Sequence, residues 1–316
     1  MKTPQLPEPK LTKLLGMKNE LWFKFENKHH YGSHKGRSIP PMIDEYAKQG
    51  IKSFVISSSG NAALAALRTV LSHNKNKPQN PISLKIFVGK NIEPSKLEKL
   101  TSEASHPEPV RQAQGKLREG SLAHFITITQ VDNPKQSALT LEKTGAKLLR
   151  GSTDPLALVG YQGLADELAK IENLAAVFIP SSSGTCAEGL YLGFKNLKLS
   201  PQIHIVQTNF CHPLAEEVYS QKGKPFPDEK ESHSLAGAIV DIVGHRREAV
   251  ATAVVETGGE GWIASDEEIK KAIEIVKQTA GEDLSPNSAL SVVGLQKAIA
   301  AGFTWQGPVV CLITGD

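Results

Sequence analysis

The feature that most constrains the fold is an alternation along the chain between short apolar runs and longer amphipathic segments. The short runs are bounded by Gly, Ser or Pro and have the composition of strands, which we predict at 21–27, 51–59, 83–89, 124–131, 146–151, 174–180, 202–208 and 308–315. The longer segments predict helices at 61–73, 154–171, 186–197, 266–280 and 286–302. Strands that alternate with helices indicate parallel sheets covered by helices, so we predict an α/β protein.

Length and charge limit the classes of function. A chain of 316 residues with 40% hydrophobic residues can bury a full core, and at about 100 to 200 residues per domain it predicts two domains. Lysine plus arginine outnumber aspartate plus glutamate by only 36 to 33, and the basic residues are spread along the chain. Because no basic block points to nucleic acid or to a membrane surface, we expect a small-molecule partner.

The cysteines and the N-terminal segment add three expectations. Cys186, Cys211 and Cys311 are far apart and form no CxxC pair, so neither a disulfide framework nor a zinc site is indicated, and we predict no metal. The first 16 residues, "MKTPQLPEPKLTKLLG", contain no apolar run of the roughly 20 residues that span a membrane. We therefore expect a cytoplasmic protein with buried, reduced cysteines.

One segment fits the alternation poorly. Residues 101–123 are polar, contain proline and show no lasting apolar period, so we predict a surface insertion or a mobile loop there, although residues 110–119 could form a short helix.

Small hydroxyl-bearing residues follow two predicted strands, each time directly before a helix. In "FIPSSSGTCAEGL" the loop 181–185 can turn several backbone N–H groups towards an anion such as phosphate, at the positive end of a helix. In "VISSSGNAALAAL" the loop 57–60 and Asn61 supply a second cluster of donors for a polar ligand. The first loop is neither a P-loop nor a GxGxxG dinucleotide pattern. Either loop, taken alone, could be a plain turn with capping hydroxyls.

A lysine in "YGSHKGRS" changes the interpretation of both loops. Lys35 follows a strand that ends in an acidic residue, within "WFKFENKHHYGSHKGR". With SSGN at 58–61, SSSGT at 181–185 and Thr314 in "VVCLITGD", the sequence resembles the pyridoxal-phosphate enzymes of fold type II. That family includes threonine synthase, threonine dehydratase, cysteine synthase and the tryptophan synthase β chain. The four matches occur in the family's order and cover nearly the whole chain.

The resemblance implies an architecture and a cofactor. We expect two parallel-sheet, three-layer domains with the active site between them and pyridoxal 5'-phosphate as the cofactor. A large cofactor-binding domain would comprise 1–39 and 145–316, and a smaller, mobile domain would comprise 40–144. A homodimer is usual in the family. Because the family pattern uses the chain up to its end, no separate regulatory domain is expected.

The resemblance also implies roles for the matched residues. Lys35 would form a Schiff base with the cofactor and move protons at the α carbon of an amino-acid substrate. Asn61 would bond the ring oxygen, and Thr314 would be an uncharged partner of the ring nitrogen, which by family precedent favours elimination over transamination. The residues expected to cradle the phosphate are Ser181, Ser182, Ser183, Gly184 and Thr185. The residues expected to bind the substrate carboxylate are Ser58, Ser59 and Gly60.

Within the family, residues 233–272 and 285–302 look most like threonine synthase, which converts O-phosphohomoserine to threonine and phosphate. Four departures are visible. Gly36 stands where the family often has aspartate, His34 where phenylalanine is more usual, and the chain ends at Asp316 where threonine synthases usually continue. "DPLA" at 154–157 replaces Asn-Pro-x-Arg, so the arginine expected to meet the substrate phosphate is absent.

Three alternatives therefore stay open beside the threonine synthase interpretation. The carboxylate of Asp154 would repel a substrate phosphate, which favours a serine or threonine dehydratase that releases ammonia. Another β-eliminating or β-replacing member of the family is the second alternative. A non-catalytic relative that binds pyridoxal phosphate as a carrier or regulator is the third. The presence of Lys35, Asn61 and Thr314 together argues against it, because a carrier needs no base at an α carbon.

Overall fold

A computed structural model of the protein describes residues 2–105, 125–227 and 231–315. Its strands, in chain order, are β1 (Gln5–Pro7), β2 (Leu21–Phe25), β3 (Ser53–Ser57), β4 (Ser83–Gly89), β5 (Ile126–Val131), β6 (Lys147–Leu148), β7 (Ala176–Pro180), β8 (Gln202–Thr208), β9 (Gly261–Ala264) and β10 (Val309–Ile313). Its helices are α1 (Pro9–Leu14), α2 (Ile39–Lys48), α3 (Asn61–Asn76), α4 (Pro94–Ser105), α5 (Pro134–Glu142), α6 (Leu156–Leu168), α7 (Thr185–Asn196), α8 (Pro213–Gln221), α9 (Arg247–Glu256), α10 (Asp266–Ala280) and α11 (Pro286–Ala300). Two short 3₁₀ helices cover Glu26–Lys28 and His34–Arg37.

The chain divides into two compact units, each built on its own sheet. The first comprises Met1–His34 and Gly151–Asp316, with strand order β1-β2-β10-β7-β8-β9. Only β1 is antiparallel to its neighbour in that sheet. The second unit comprises Lys35–Arg150 and carries the parallel order β5-β4-β3-β6. The predicted α/β class with parallel sheets is therefore confirmed.

Strand β10 shows why the larger sheet is covered on both faces. Its five residues are all buried, and they alternate between two cores. Val309, Cys311 and Ile313 pack in the core that α10 and α11 cover, whereas Val310 and Leu312 pack in the core that α6, α7 and α9 cover. A strand with apolar residues on both faces is typical of a parallel sheet between two layers of helices.

The direction of the strands sets one edge of this sheet apart. Because β2, β10 and β7 are mutually parallel, their carboxyl ends lie at the same edge. The residues that follow these three strands are 26–34, Thr314 and the loop 181–185. The topology therefore places three of the segments singled out in the sequence at one edge.

The helices and strands in the structure differ in several places from those predicted from the sequence. All eight predicted strands and all five predicted helices are present, but β1, β9, α1, α2, α4, α5, α8 and α9 were not predicted. The predicted insertion at 101–123 begins inside α4, and the Arg68 guanidinium pairs with the Glu103 carboxylate at 2.5 and 2.6 Å. Residues 101–105 are therefore helical, and 106–123 lie outside the described residues. In the described part of the chain, no helix is long and apolar enough to cross a bilayer.

A neutral histidine is buried among aromatic rings in the first unit. His204 stacks on Phe178 with ring centroids 4.3 Å apart. Its Nδ1 accepts hydrogen bonds from the Glu260 backbone N–H at 3.1 Å and the Trp262 indole N–H at 3.2 Å. Burial, with a smaller contribution from the Lys222 charge, lowers the pKa of His204 to about 3.

This pKa predicts an acid-sensitive contribution to stability. Above pH 6.5 the ring is neutral whether the chain is folded or unfolded, so His204 adds no pH dependence there. Between pH 6.5 and about pH 3, His204 is protonated in the unfolded state and stays neutral in the folded state. The free energy of unfolding should therefore fall by about 1.4 kcal/mol per pH unit more in the natural chain than in His204→Phe. Urea unfolding across that range measures both slopes, and parallel pH profiles would contradict the assignment.

Candidate functional site

The loop 181–185 connects β7 to α7 and is tied down on its strand side by Ser181. The Ser181 N–H donates to the Val206 carbonyl at 2.9 Å, and its hydroxyl donates to the Ile179 carbonyl at 3.0 Å. Both bonds turn Ser181 towards the sheet. Because both donors of Ser181 are used within the protein, its predicted contribution to a phosphate site would be to set the path of the loop backbone.

The middle of the loop is held by a contact that the sequence did not reveal. The Ser182 hydroxyl oxygen accepts hydrogen bonds from the backbone N–H groups of Val240 at 3.2 Å and Asp241 at 3.3 Å. The hydroxyl keeps its own proton for another acceptor, because a serine oxygen both donates and accepts. Ser182 thus links the loop to the segment before α9.

Ser183 and Thr185 form a short chain of hydrogen bonds. The Thr185 hydroxyl donates to the Gly151 carbonyl at 3.1 Å and lies 2.8 Å from the Ser183 hydroxyl. Since the single hydroxyl proton of Thr185 goes to the carbonyl, Ser183 is the donor to Thr185. These two side chains are used within the protein, so a ligand would be held by backbone amides of the loop and by the remaining hydroxyl proton of Ser182.

Gly184 gives the loop a shape in which amides at the start of α7 stay unpaired. Its φ of +80° lies in the left-handed region, and a Cβ added there would be 2.6 Å from Val250 Cγ2. No side chain caps α7. Within the described ranges, the N–H groups of Ser183, Gly184 and Thr185 donate to no protein acceptor. A helix N-terminus with unpaired amides and no side-chain cap fits a phosphate group.

Arg246 supports this loop from behind. Its guanidinium, only 9% exposed, donates to the Glu188 carboxylate at 2.7 Å, to the Asp154 carbonyl at 2.8 Å and to the Gly151 carbonyl at 3.1 Å. It therefore joins the first turn of α7 to the turn before α6. Arg246 is not among the predicted site residues, and its signal in the sequence is the basic pair in "GHRRE".

Thr314 stands at the carboxyl end of β10, next to β7 in the sheet, and is 3% exposed. Its carbonyl accepts the His34 N–H at 3.1 Å and lies 3.1 Å from His34 Nδ1. The next residue, Gly315, has a φ of +107°, and a Cβ there would be 2.9 Å from the Ser33 Cβ. The segment that leads to Lys35 therefore packs directly against the end of β10.

The remaining candidates belong to the second unit. Lys35 is half-buried in the short helix His34–Arg37, and its carbonyl accepts the Ser38 N–H at 3.1 Å. After β3, the Ser58 hydroxyl oxygen accepts the Gly60 N–H at 3.3 Å. Asn61 opens α3, which has no side-chain cap. The structure brings Ser58, Ser59, Gly60 and Asn61 together at one strand end, and their joint action with 181–185 and Thr314 stays a prediction.

Two of the three cysteines, Cys211 and Cys311, are held in the thiol form. All three are buried, as predicted, and none of them forms a disulfide. Burial, together with the charges of Asp241 and Glu216, raises the pKa of the Cys211 thiol to about 11, and burial also raises the pKa of Cys311. Neither thiol is ionised at neutral pH. Among the described residues, no group of three or more His, Cys, Asp and Glu side chains could hold a metal ion.

Comparison with known proteins identifies the family. The family model described as "Pyridoxal-phosphate dependent enzyme" matches residues 1–315. The chain is 24% identical over 326 aligned positions to the threonine synthase of Methanocaldococcus jannaschii, a match that covers 96% of this chain and 72% of that protein.

Two solved structures share the fold. Maize serine racemase aligns with a TM-score of 0.75 and 17% sequence identity, and the match covers 88% of that chain. The processed threonine deaminase isoform 2 of Solanum lycopersicum aligns with a TM-score of 0.74 and 17% sequence identity, and the match covers 84% of that chain. Each match covers 100% of this chain. The resemblance drawn from the sequence is thus confirmed: the chain belongs to the family of pyridoxal-phosphate-dependent enzymes, and its cofactor is pyridoxal 5'-phosphate.

Proposed function

We propose that the chain is a lyase that performs elimination and replacement on a small amino acid, most like the threonine synthase conversion of O-phosphohomoserine to threonine and phosphate. The observation that carries this proposal is the buried, uncharged Thr314 at the end of β10, beside the strand that leads into 181–185. A neutral partner does not hold the cofactor ring nitrogen protonated, which favours elimination. Similarity to curated threonine synthases over at least 96% of this chain supports the choice of reaction.

Each candidate residue has a role in this proposal. When bound, pyridoxal phosphate supplies the electron sink for a carbanion at the substrate α carbon. Lys35 would hold the cofactor covalently and then move protons at that carbon. Asn61 would donate to the ring oxygen, and Ser58, Ser59 and Gly60 would receive the substrate carboxylate near the first turn of α3. Within the loop 181–185, the unpaired amides of Ser183, Gly184 and Thr185 would hold the cofactor phosphate.

A serine or threonine dehydratase is the second candidate, and the start of α6 favours it. Asp154 is buried, and its carboxylate accepts the Leu156 N–H at 3.0 Å. The nearby Arg246 is already bonded to Glu188 and to two carbonyls, so it does not replace the arginine missing at Ala157. A corner with a carboxylate and a neutralised guanidinium suits a substrate without a phosphate.

Product analysis separates the two candidates. With O-phosphohomoserine we expect release of inorganic phosphate and formation of threonine. The substitution Lys35→Ala should lower the rate of phosphate release by at least about 100-fold, because it removes the group that transfers the proton. The exposed Lys52, also in the second unit, provides the matched control Lys52→Ala, which should keep full activity. Ammonia and a 2-keto acid from threonine or serine, without phosphate release, would overturn the synthase in favour of the dehydratase. Turnover of none of these substrates would contradict both.

The phosphate loop makes a separate prediction about cofactor affinity. Gly184→Ala places a methyl group against Val250 in a left-handed conformation, so the loop must shift and its amides lose their alignment. Charge-assisted hydrogen bonds contribute about 1.5 to 3 kcal/mol, so the dissociation constant for pyridoxal phosphate should rise by about 10-fold or more. The control Gly163→Ala adds a methyl group where nothing lies within 4 Å. Fluorescence titration of the apo proteins measures both, and equal affinities would exclude 181–185 as the phosphate site.

The homodimer, the cytoplasmic location and the mobility of the smaller domain belong to the same proposal and stay predictions. Closure of that domain would exclude water from the reacting groups.

A further inference from the structure

We propose that His34 is a positioning residue that fixes Thr314 by two hydrogen bonds to its carbonyl, and so sets the donor or acceptor that the cofactor ring nitrogen meets. This inference rests on the proposed function, in which Thr314 is the partner of that nitrogen. It concerns a residue that the sequence marked only as a histidine where phenylalanine is more usual.

The two bonds come from different parts of one residue. The backbone N–H of His34 donates to the Thr314 carbonyl oxygen at 3.1 Å, and the ring Nδ1 lies 3.1 Å from the same oxygen. A carbonyl oxygen has two lone pairs and both are used here. The peptide of Thr314 is thereby held against rotation at the point where its side chain leaves the strand.

The contact also determines the tautomer of the ring. A carbonyl oxygen can only accept, so Nδ1 must carry the proton in this hydrogen bond. In the neutral ring Nε2 is then the nitrogen with the lone pair. The ring lies 6.1 Å, centroid to centroid, from that of the fully buried Tyr161 on α6, which limits where it can turn.

The opposite side of the strand end is fixed as well. The Gly315 N–H donates to the Ser288 hydroxyl oxygen at 3.1 Å, and the Gly315 carbonyl accepts the Ser285 hydroxyl at 2.9 Å. Both serines belong to the N-terminal turn of α11 and its cap. Thr314 therefore stands between two anchors, and His34 is the one that also precedes Lys35 in the chain.

Two substitutions separate the hydrogen bond from the volume of the ring. His34→Phe fills the space and cannot donate, and phenylalanine is the more usual residue at this position in the family that the sequence resembles. His34→Asn has less volume but places an amide N–H close to the position of Nδ1. If the bond is what matters, asparagine should rescue what phenylalanine loses.

The test is a titration of natural, His34→Phe and His34→Asn apo protein with pyridoxal phosphate, followed by the visible absorption spectrum of each complex. We expect about a five-fold higher dissociation constant and a shifted absorption maximum for His34→Phe, the size of one hydrogen bond, with His34→Asn within about two-fold of the natural protein. In the apo natural protein, the NMR shifts of the His34 ring should report the Nδ1–H tautomer.

Three results would overturn the inference. They are equal affinities and spectra for the natural and His34→Phe proteins, equal losses in both variants, and the Nε2–H tautomer. Failure of the natural protein itself to bind pyridoxal phosphate would overturn the proposed function and with it the role of His34. The titration of the natural protein alone distinguishes that outcome from the three results above, because it involves neither substitution.

Discussion

The close packing at the carboxyl end of β10 is the constraint on which the rest of the candidate site depends. Three segments far apart in sequence meet there: residues 33 and 34, the strand end at 314 and 315, and the first turn of α11. Gly315 allows the meeting, because a side chain at that position would collide with Ser33. Any movement of this strand end would displace the start of the Lys35 segment as well as Thr314.

The phosphate loop depends on a second, independent set of contacts. Arg246 bonds the turn before α6 to α7, and Ser182 bonds the loop to the segment before α9. The loop therefore receives support from both sides while three amides at its end stay available to an anion. The ion pair with Glu188 neutralises the charge of Arg246. In the proposed threonine synthase reaction, the turn before α6 would have to accept the phosphate of the substrate. That turn offers the Asp154 carboxylate and the already neutralised Arg246 guanidinium.

Much of this could be predicted from the sequence, because the determinants are local. Strands such as β4 and β8 are apolar runs with clear breakers, and the loops after β3 and β7 are marked by small residues before helices. β1 escaped prediction because three residues become a strand only through pairing with β2, and the four residues of β9 are too few to show a pattern. The roles of Ser182, Arg246 and His34 depend on partners 58, 92 and 280 residues away, which no local pattern encodes.

The central claim is that Lys35 carries the cofactor. The most direct test is to reduce the purified holoprotein with borohydride, which makes the lysine–cofactor linkage permanent, and to map the labelled peptide by mass spectrometry. The account predicts a single pyridoxyl-lysine within the peptide that contains "YGSHKGRS", at Lys35. A label on any other lysine, or no label on protein that retains pyridoxal phosphate, would contradict it.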